Sequence, residues 1–162
     1  MAAKSKVFIK NHFVENLIFP AVKFRLKRDR GSNSIFDIIR RKYIILTPEE
    51  WVRQHLVHYM IAELKYPKSL ICVEDGLRVN NMKKRSDIVV YDRSGAVFMV
   101  AECKSFKLKL NQQAMNQVSA YNQTLQAQYL ALTNGKELYV CKMNYKTKGI
   151  VFLQSFPEYA QP

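Results

Sequence analysis

The chain has 162 residues, 48% of them hydrophobic, which suits one domain with a real core and excludes whole-chain disorder or a second large domain. Lys and Arg number 26 against 13 Asp and Glu, and the formal net charge of +13 points to a polyanionic partner. Three cysteines with no CxxC pair exclude a disulfide scaffold and a zinc ribbon, and suit a reducing cytoplasm. No apolar run approaches the roughly 18–20 residues of a membrane span, and the N-terminus lacks the apolar stretch of a secretory signal, so the expected location is the cytoplasm and a membrane partner is not expected.

Residues 1–23, with KVFIKNHFVENLIFP, read as a basic and apolar accessory arm; residues 24–162 read as one domain. FRLKRDRGSNSIFDIIRRKYIIL predicts a basic hairpin, two strands around a Gly31-Ser32-Asn33-Ser34 turn. Its Lys and Arg residues are either a solvated face or a phosphate-contacting edge. Thr47, Pro48 and Glu50 then form a capping box. The helix they open carries Val52, Leu56, Tyr59, Met60 and Leu64 on one face, and Tyr66-Pro67 ends it. His55 and His58 stand three apart with no third ligand and read as packing or surface residues.

The period then changes. SLICVEDGLRV, RSDIVVYD and AVFMVAECKSF predict three strands; NQQAMNQVSAYNQTLQAQ predicts a helix free of Gly and Pro; QYLALT, ELYVCKM and GIVFLQSF predict further strands, with a Thr133-Asn134-Gly135 turn between the first two. This order predicts a mixed α/β or α+β domain, a central mixed sheet flanked by helices.

A hairpin through Arg93-Ser94-Gly95-Ala96 sets Asp92 against Val97 and Asp87 against Glu102. The two acids then lie with Cβ atoms roughly 4.5–5.5 Å apart. Opposed carboxylates in an apolar setting call for a cation, and a hard divalent ion with oxygen ligands fits. Lys104, two residues after Glu102, points to the same face. A plain ion cluster is the alternative. With a metal between the acids, a phosphodiester could be polarised and a water activated, while Lys104 steadies the developing charge. The carbonyl of Cys103 is a further candidate ligand. Gln117 and Tyr121, four apart on the next helix, share a face that could look onto this spot.

The ordered set Asp87, Glu102-Cys103-Lys104, Gln117-x-x-x-Tyr121 resembles the PD-(D/E)xK nuclease superfamily with its QxxxY extension. The longer runs IFDIIRRKYIILTPEEWVRQHLVHYMI, KYPKSLICVEDGL, KRSDIVVYD, AECK, QVSAYN and LTNG resemble the N-terminal domain of type I restriction enzyme R subunits, in short stand-alone bacterial form, over about residues 24–142. The resemblance implies a restriction-endonuclease-like core and Mg²⁺-dependent cleavage of DNA, with Mn²⁺ as a substitute. It implies Asp87 and Glu102 as metal ligands, Lys104 as catalytic lysine, Gln117 and Tyr121 as the helical pair, and Glu49 or Glu50 as an assisting acid of the first helix. Ser86 stands where the name-giving Pro would be. Lys83, Lys84, Arg85, Arg40, Arg41 and Lys107 are the candidates for contacts to the nucleic-acid backbone. No GxxxxGK[ST] loop is present, so no translocase accompanies the domain in this sequence. The expected partners are DNA, a separate restriction or repair subunit and a second copy in a homodimer. The alternative is a non-catalytic DNA-binding or interaction module that keeps the fold.

Overall fold

The computed structural model describes residues 15–29, 31–75, 78–79, 82–83 and 86–159. In chain order the elements are β1 (Leu26–Asp29), β2 (Ser32–Asp37), β3 (Lys42–Ile45), α1 (Pro48–Ala62), a 3-10 turn (Lys68–Leu70), β4 (Ile71–Asp75), β5 (Arg78–Val79), β6 (Met82–Lys83), β7 (Ser86–Tyr91), β8 (Val97–Cys103), α2 (Gln112–Leu125), β9 (Tyr129–Thr133), β10 (Leu138–Asn144) and β11 (Gly149–Leu153). Six strands form the central sheet in the order β11-β10-β9-β8-β7-β4. All neighbours are antiparallel except β8 and β9, which run parallel and are joined through α2. The sheet is therefore mixed and flanked by helices, as expected of a restriction-endonuclease-like core.

Both faces of β7 and β8 are covered, which is why their sequences read as near-continuous apolar runs. Ile88, Val90, Met99, Ala101 and Cys103 pack in one cluster with Val52, Leu56 and Met60 of α1. Val89, Val100, Leu130 and Leu132 pack in another with Val118 of α2. Each helix starts on a side-chain cap: Thr47 Oγ1 accepts from the Glu50 N–H at 3.0 Å, and Asn111 Oδ1 from the Ala114 N–H at 2.9 Å.

The first segment differs from the expected hairpin. It is a three-stranded antiparallel meander, β1-β2-β3, and Ser32 to Ser34 lie in β2 rather than in a turn. The second reversal has no Gly or Pro to announce it. Asp37 makes it instead, its Oδ1 accepting the N–H groups of Ile39 at 2.7 Å and Arg40 at 2.8 Å, while Arg41 takes a left-handed φ of 55°. The first middle strand is described over Ile71–Asp75, and the remainder of its expected run falls partly outside the described residues. Residues 15–23 of the expected arm lie against the body of the domain. Phe19 is buried in the α1-side core, Ile18 N–H donates to Gly135 O at 2.8 Å, and Trp51 Nε1 donates to Glu15 O at 3.1 Å.

Candidate active site

Strands β7 and β8 pair with Ile88 opposite Ala101 and Val89 opposite Val100. That register carries Asp87 to Glu102 at the strand ends, as the hairpin reading expected. The far end departs from it. The register slips between Val90 and Tyr91, so Tyr91 and not Asp92 faces Val97. Asp92 serves the turn, its Oδ1 accepting from Ser94 N–H, Ser94 Oγ and Ala96 N–H at 2.7–2.9 Å.

Asp87 Oδ2 accepts the Cys103 N–H at 2.7 Å, and its Oδ1 accepts Arg53 Nη2 at 2.7 Å. Lys104 Nζ donates to Glu102 Oε1 at 2.8 Å and to Gln117 Oε1 at 3.3 Å. Lys104 is fixed from behind by its own N–H, which donates to Thr133 O of β9 at 2.8 Å. Three elements thus meet at one place: the start of β7, the end of β8 and the exposed face of α2. Glu102 is 6% exposed, and its Oε2 is buried with no hydrogen-bond partner among the described residues.

The charges feel one another. Burial pushes the Glu102 carboxyl well above its usual range, the Asp87 and Glu49 carboxylates push the same way, and Lys104 only partly reverses it. Glu49 is raised as well, by burial and by Asp87, against the pull of Arg53 and Lys104. Burial alone would lower Lys104, but its bond to Glu102 and the surrounding carboxylates outweigh that and hold it as an ammonium. The Cys103 thiol is fully buried in the α1-side core and pushed far up by that burial, so it is no nucleophile.

Arg53 was not foreseen. Its side chain is 4% exposed and donates to Glu50, to Glu49 Oε1 at 3.0 Å and to Asp87 Oδ1 at 2.7 Å. Burial alone would lower its pKa; Asp87 and Glu50 raise it instead, so the guanidinium is a fixed cation in the site. The sequence carries half of this signal, since Arg53 follows Glu50 by three and Glu49 by four on one helix. Nothing in spacing links it to Asp87. The two first-helix acids separate. Glu50, 3% exposed, ties Arg40, Arg53 and Gln54 together, and its carboxylate is turned to them rather than back to the cap. Glu49 is 45% exposed at its side chain and borders Asp87.

The other expected residues lie as follows. Tyr121 falls in α2, one turn beyond Gln117. Arg40 points inward: its Nε donates to Asp37 at 2.6 Å and its Nη2 to Glu50 at 2.8 Å, which takes it off the expected phosphate-contacting surface. Arg41 and Lys107 are exposed, Lys83 lies in β6, and Lys84 and Arg85 lie outside the described residues. Among the described residues no three His, Cys, Asp or Glu side chains stand in a ready metal-binding arrangement. A groove of about 500 Å³ between α2 and β10–β11 contains no carboxylate, lysine, arginine or histidine, and lies apart from these acids. Among the described residues no helix is long and apolar enough to cross a membrane.

The family profile described as type I restriction enzyme R protein N terminus matches residues 48–157, more than half of the chain. The chain belongs to that family. The match spans α1, β7, β8 and α2, and so every residue of the cluster from Glu49 to Tyr121. Among solved structures, a fragment described as an HsdR subunit of a type I restriction enzyme from Vibrio vulnificus YJ016 is similar at 22% identity and a TM-score of 0.37, over 55% of this chain and 17% of that one. The chain thus spans less than a fifth of that relative. No curated protein matches.

Proposed function

We propose that the chain is a metal-dependent DNA endonuclease domain of the PD-(D/E)xK type, hydrolysing phosphodiester bonds with Asp87, Glu102 and Lys104. The observation that carries the reading is Glu102 Oε2, a buried carboxylate oxygen with no donor among the described residues, beside Asp87 and the Lys104 ammonium. Burying a carboxylate oxygen without a donor is costly; the raised Glu102 pKa reflects that cost, and a cation bound beside Oε2 would relieve it. The donor set is oxygen, which suits Mg²⁺, or Mn²⁺ in its place.

Asp87 and Glu102 would hold the ion, with the Cys103 carbonyl as a further ligand. Bound there, the ion supplies positive charge against the phosphate and eases deprotonation of the attacking water. Lys104 stays protonated and donates to the phosphoryl oxygen as charge builds on it. Gln117 holds the Lys104 ammonium from α2, and Tyr121, one turn on, positions the phosphate. Glu49, half-exposed beside Asp87, assists at the rim, while Glu50 braces Arg53. Arg53 supports the reading by holding Asp87 in place. Lys83, Lys84, Arg85, Arg41 and Lys107 supply affinity for the backbone that falls with salt. A double-strand cut takes two sites, hence a homodimer on DNA or a separate restriction subunit, and the cytoplasm is the setting.

A second reading, a DNA-binding or complex-forming module without catalysis, is favoured by one feature: both Asp87 oxygens already accept hydrogen bonds, from Arg53 and Cys103. Supercoiled DNA with Mg²⁺ or Mn²⁺ separates the two. Wild type should nick it, and Lys104→Ala and Glu102→Gln should lose about 100-fold or more of the rate while keeping the fold. DNA retained in a gel shift, with no cleavage by any form, would leave the module.

A further inference from the structure

The segment from Ser105 to Leu110 leaves the site directly, since Lys104 precedes it and Asn111, the α2 cap, follows it. It presents Lys107 and Lys109, both exposed, and between them Leu108, 58% exposed. A leucine so exposed in a loop is commonplace alone. Here the loop around it is anchored from two sides. Phe106, 7% exposed, is buried in the α1-side core. Asn134, 2% exposed, donates from Nδ2 to Leu108 O at 2.8 Å, and its Oδ1 accepts the N–H groups of Lys136 at 2.9 Å and Glu137 at 2.8 Å. Lys107 N–H bonds Ser105 Oγ at 3.2 Å, Leu108 N–H bonds Ser105 O at 3.0 Å, and Leu110 N–H reaches Glu137 Oε2 at 3.4 Å. A buried amide aimed at the carbonyl of an exposed leucine fixes the loop before anything binds. Such pre-ordering removes part of the entropic cost of binding.

We propose that this Lys-Leu-Lys loop is the docking element for duplex DNA beside the site, an inference that rests on the nuclease reading. Lys107 and Lys109 contact phosphates flanking the bond to be cut, and Leu108 packs against a deoxyribose in the groove. Lysines neutralise the backbone without reading sequence, and an apolar tip finds carbon surface on the sugars. The loop also gives the Thr133-Asn134-Gly135 turn a task, since Asn134 holds the loop tip. A duplex whose phosphate sits at Lys104 has Lys107 three residues away along the chain.

The test is equilibrium binding of a short labelled duplex without divalent ions, followed by anisotropy across a salt series. Lys107→Ala/Lys109→Ala should flatten the slope of log K against log salt by about 1.8, two phosphate contacts' worth. Leu108→Ser should weaken binding about fivefold with the slope unchanged. Lys146→Ala/Lys148→Ala, in the exposed β10–β11 turn and with the same loss of charge, should leave the slope as in wild type. Melting curves confirm that all four proteins are folded. Equal losses in the two double variants would mean a general field and no docking loop, and would overturn the proposal. So would a loop variant indistinguishable from wild type, with the nuclease reading intact. Wild type that ignores DNA at low salt, or that binds only phosphatidylserine vesicles, would remove the nuclease reading together with this one.

Discussion

Asp37, in the meander rather than in the candidate site, accepts from four donors. Its two oxygens accept from Ile39 N–H, Arg40 N–H, Arg40 Nε and Gln54 Nε2, all within 2.6–2.8 Å, although the residue is 0% exposed. Burial alone would raise its pKa; the hydrogen bonds and charge of Arg40, aided by Gln54, outweigh it and hold the carboxyl below its ordinary value of 3.8. A depressed folded value means that the group stabilises fully above the ordinary value, and loses that contribution as pH falls through the folded one. Asp37→Asn should therefore cost about 1.5–3 kcal/mol near neutrality, the worth of hydrogen bonds to a charged group. The gap to wild type should shrink toward strong acid. Denaturant unfolding of both proteins down a pH series checks it, and a gap that stays constant would refute it. Asp37 also bears on the site at one remove. Arg40 bridges Asp37 to Glu50, and Arg53 bridges Glu50 to Asp87, so an unbroken chain of ion pairs runs from the meander to β7.

At the scale of elements, two turns show how the strands are held. Gly135 and Gly95 both adopt left-handed backbone, with φ of 80° and 86°. A Cβ at Gly95 would meet nothing within 4 Å, whereas one at Gly135 would lie 2.7 Å from Leu17 Cδ2. Gly95→Ala should cost the conformational penalty alone, about 1–2 kcal/mol. Gly135→Ala should cost more, because Leu17 must yield as well. Unfolding free energies of the two variants, side by side, decide it. Equal costs would mean that Leu17 moves freely. The central hairpin is legible for a simple reason: two apolar runs, Ile88-Val89-Val90 and Met99-Val100-Ala101, flank a short Gly95 turn, and the turn length limits the choice of register. The register failed only past Val90, where a bulge shifts one residue, and a bulge has no signature in composition. The meander's second turn is not legible in the sequence because it is built from the Asp37 side chain, not from Gly or Pro.

For the whole molecule, the distinction between arm and domain is the one to test. Residues 15–23 contribute Phe19 to the core, Leu17 against Gly135 and Glu15 to Trp51 and Lys136. Removing residues 1–23 should destabilise the protein by about 2–3 kcal/mol more than removing residues 1–14, roughly one buried phenylalanine. Thermal melts of the two truncations measure this. Of the site, the acids and Lys104 were readable because strand pairing and the period of two bring them together locally. Arg53 was not, because its bond to Asp87 spans 34 residues and depends on how α1 lies on the sheet.

Lys104, the residue after β8, is tied through its N–H to Thr133 of β9, a strand that pairs in parallel with β8 and follows it only after α2. A ribosome delivers Asp87, Glu102 and Lys104 well before β9, and parallel pairing across a helix is slow to form. The acids can therefore be made, and even paired in their hairpin, while the lysine still lacks its anchor. The complete constellation comes into being only once β9 has joined β8.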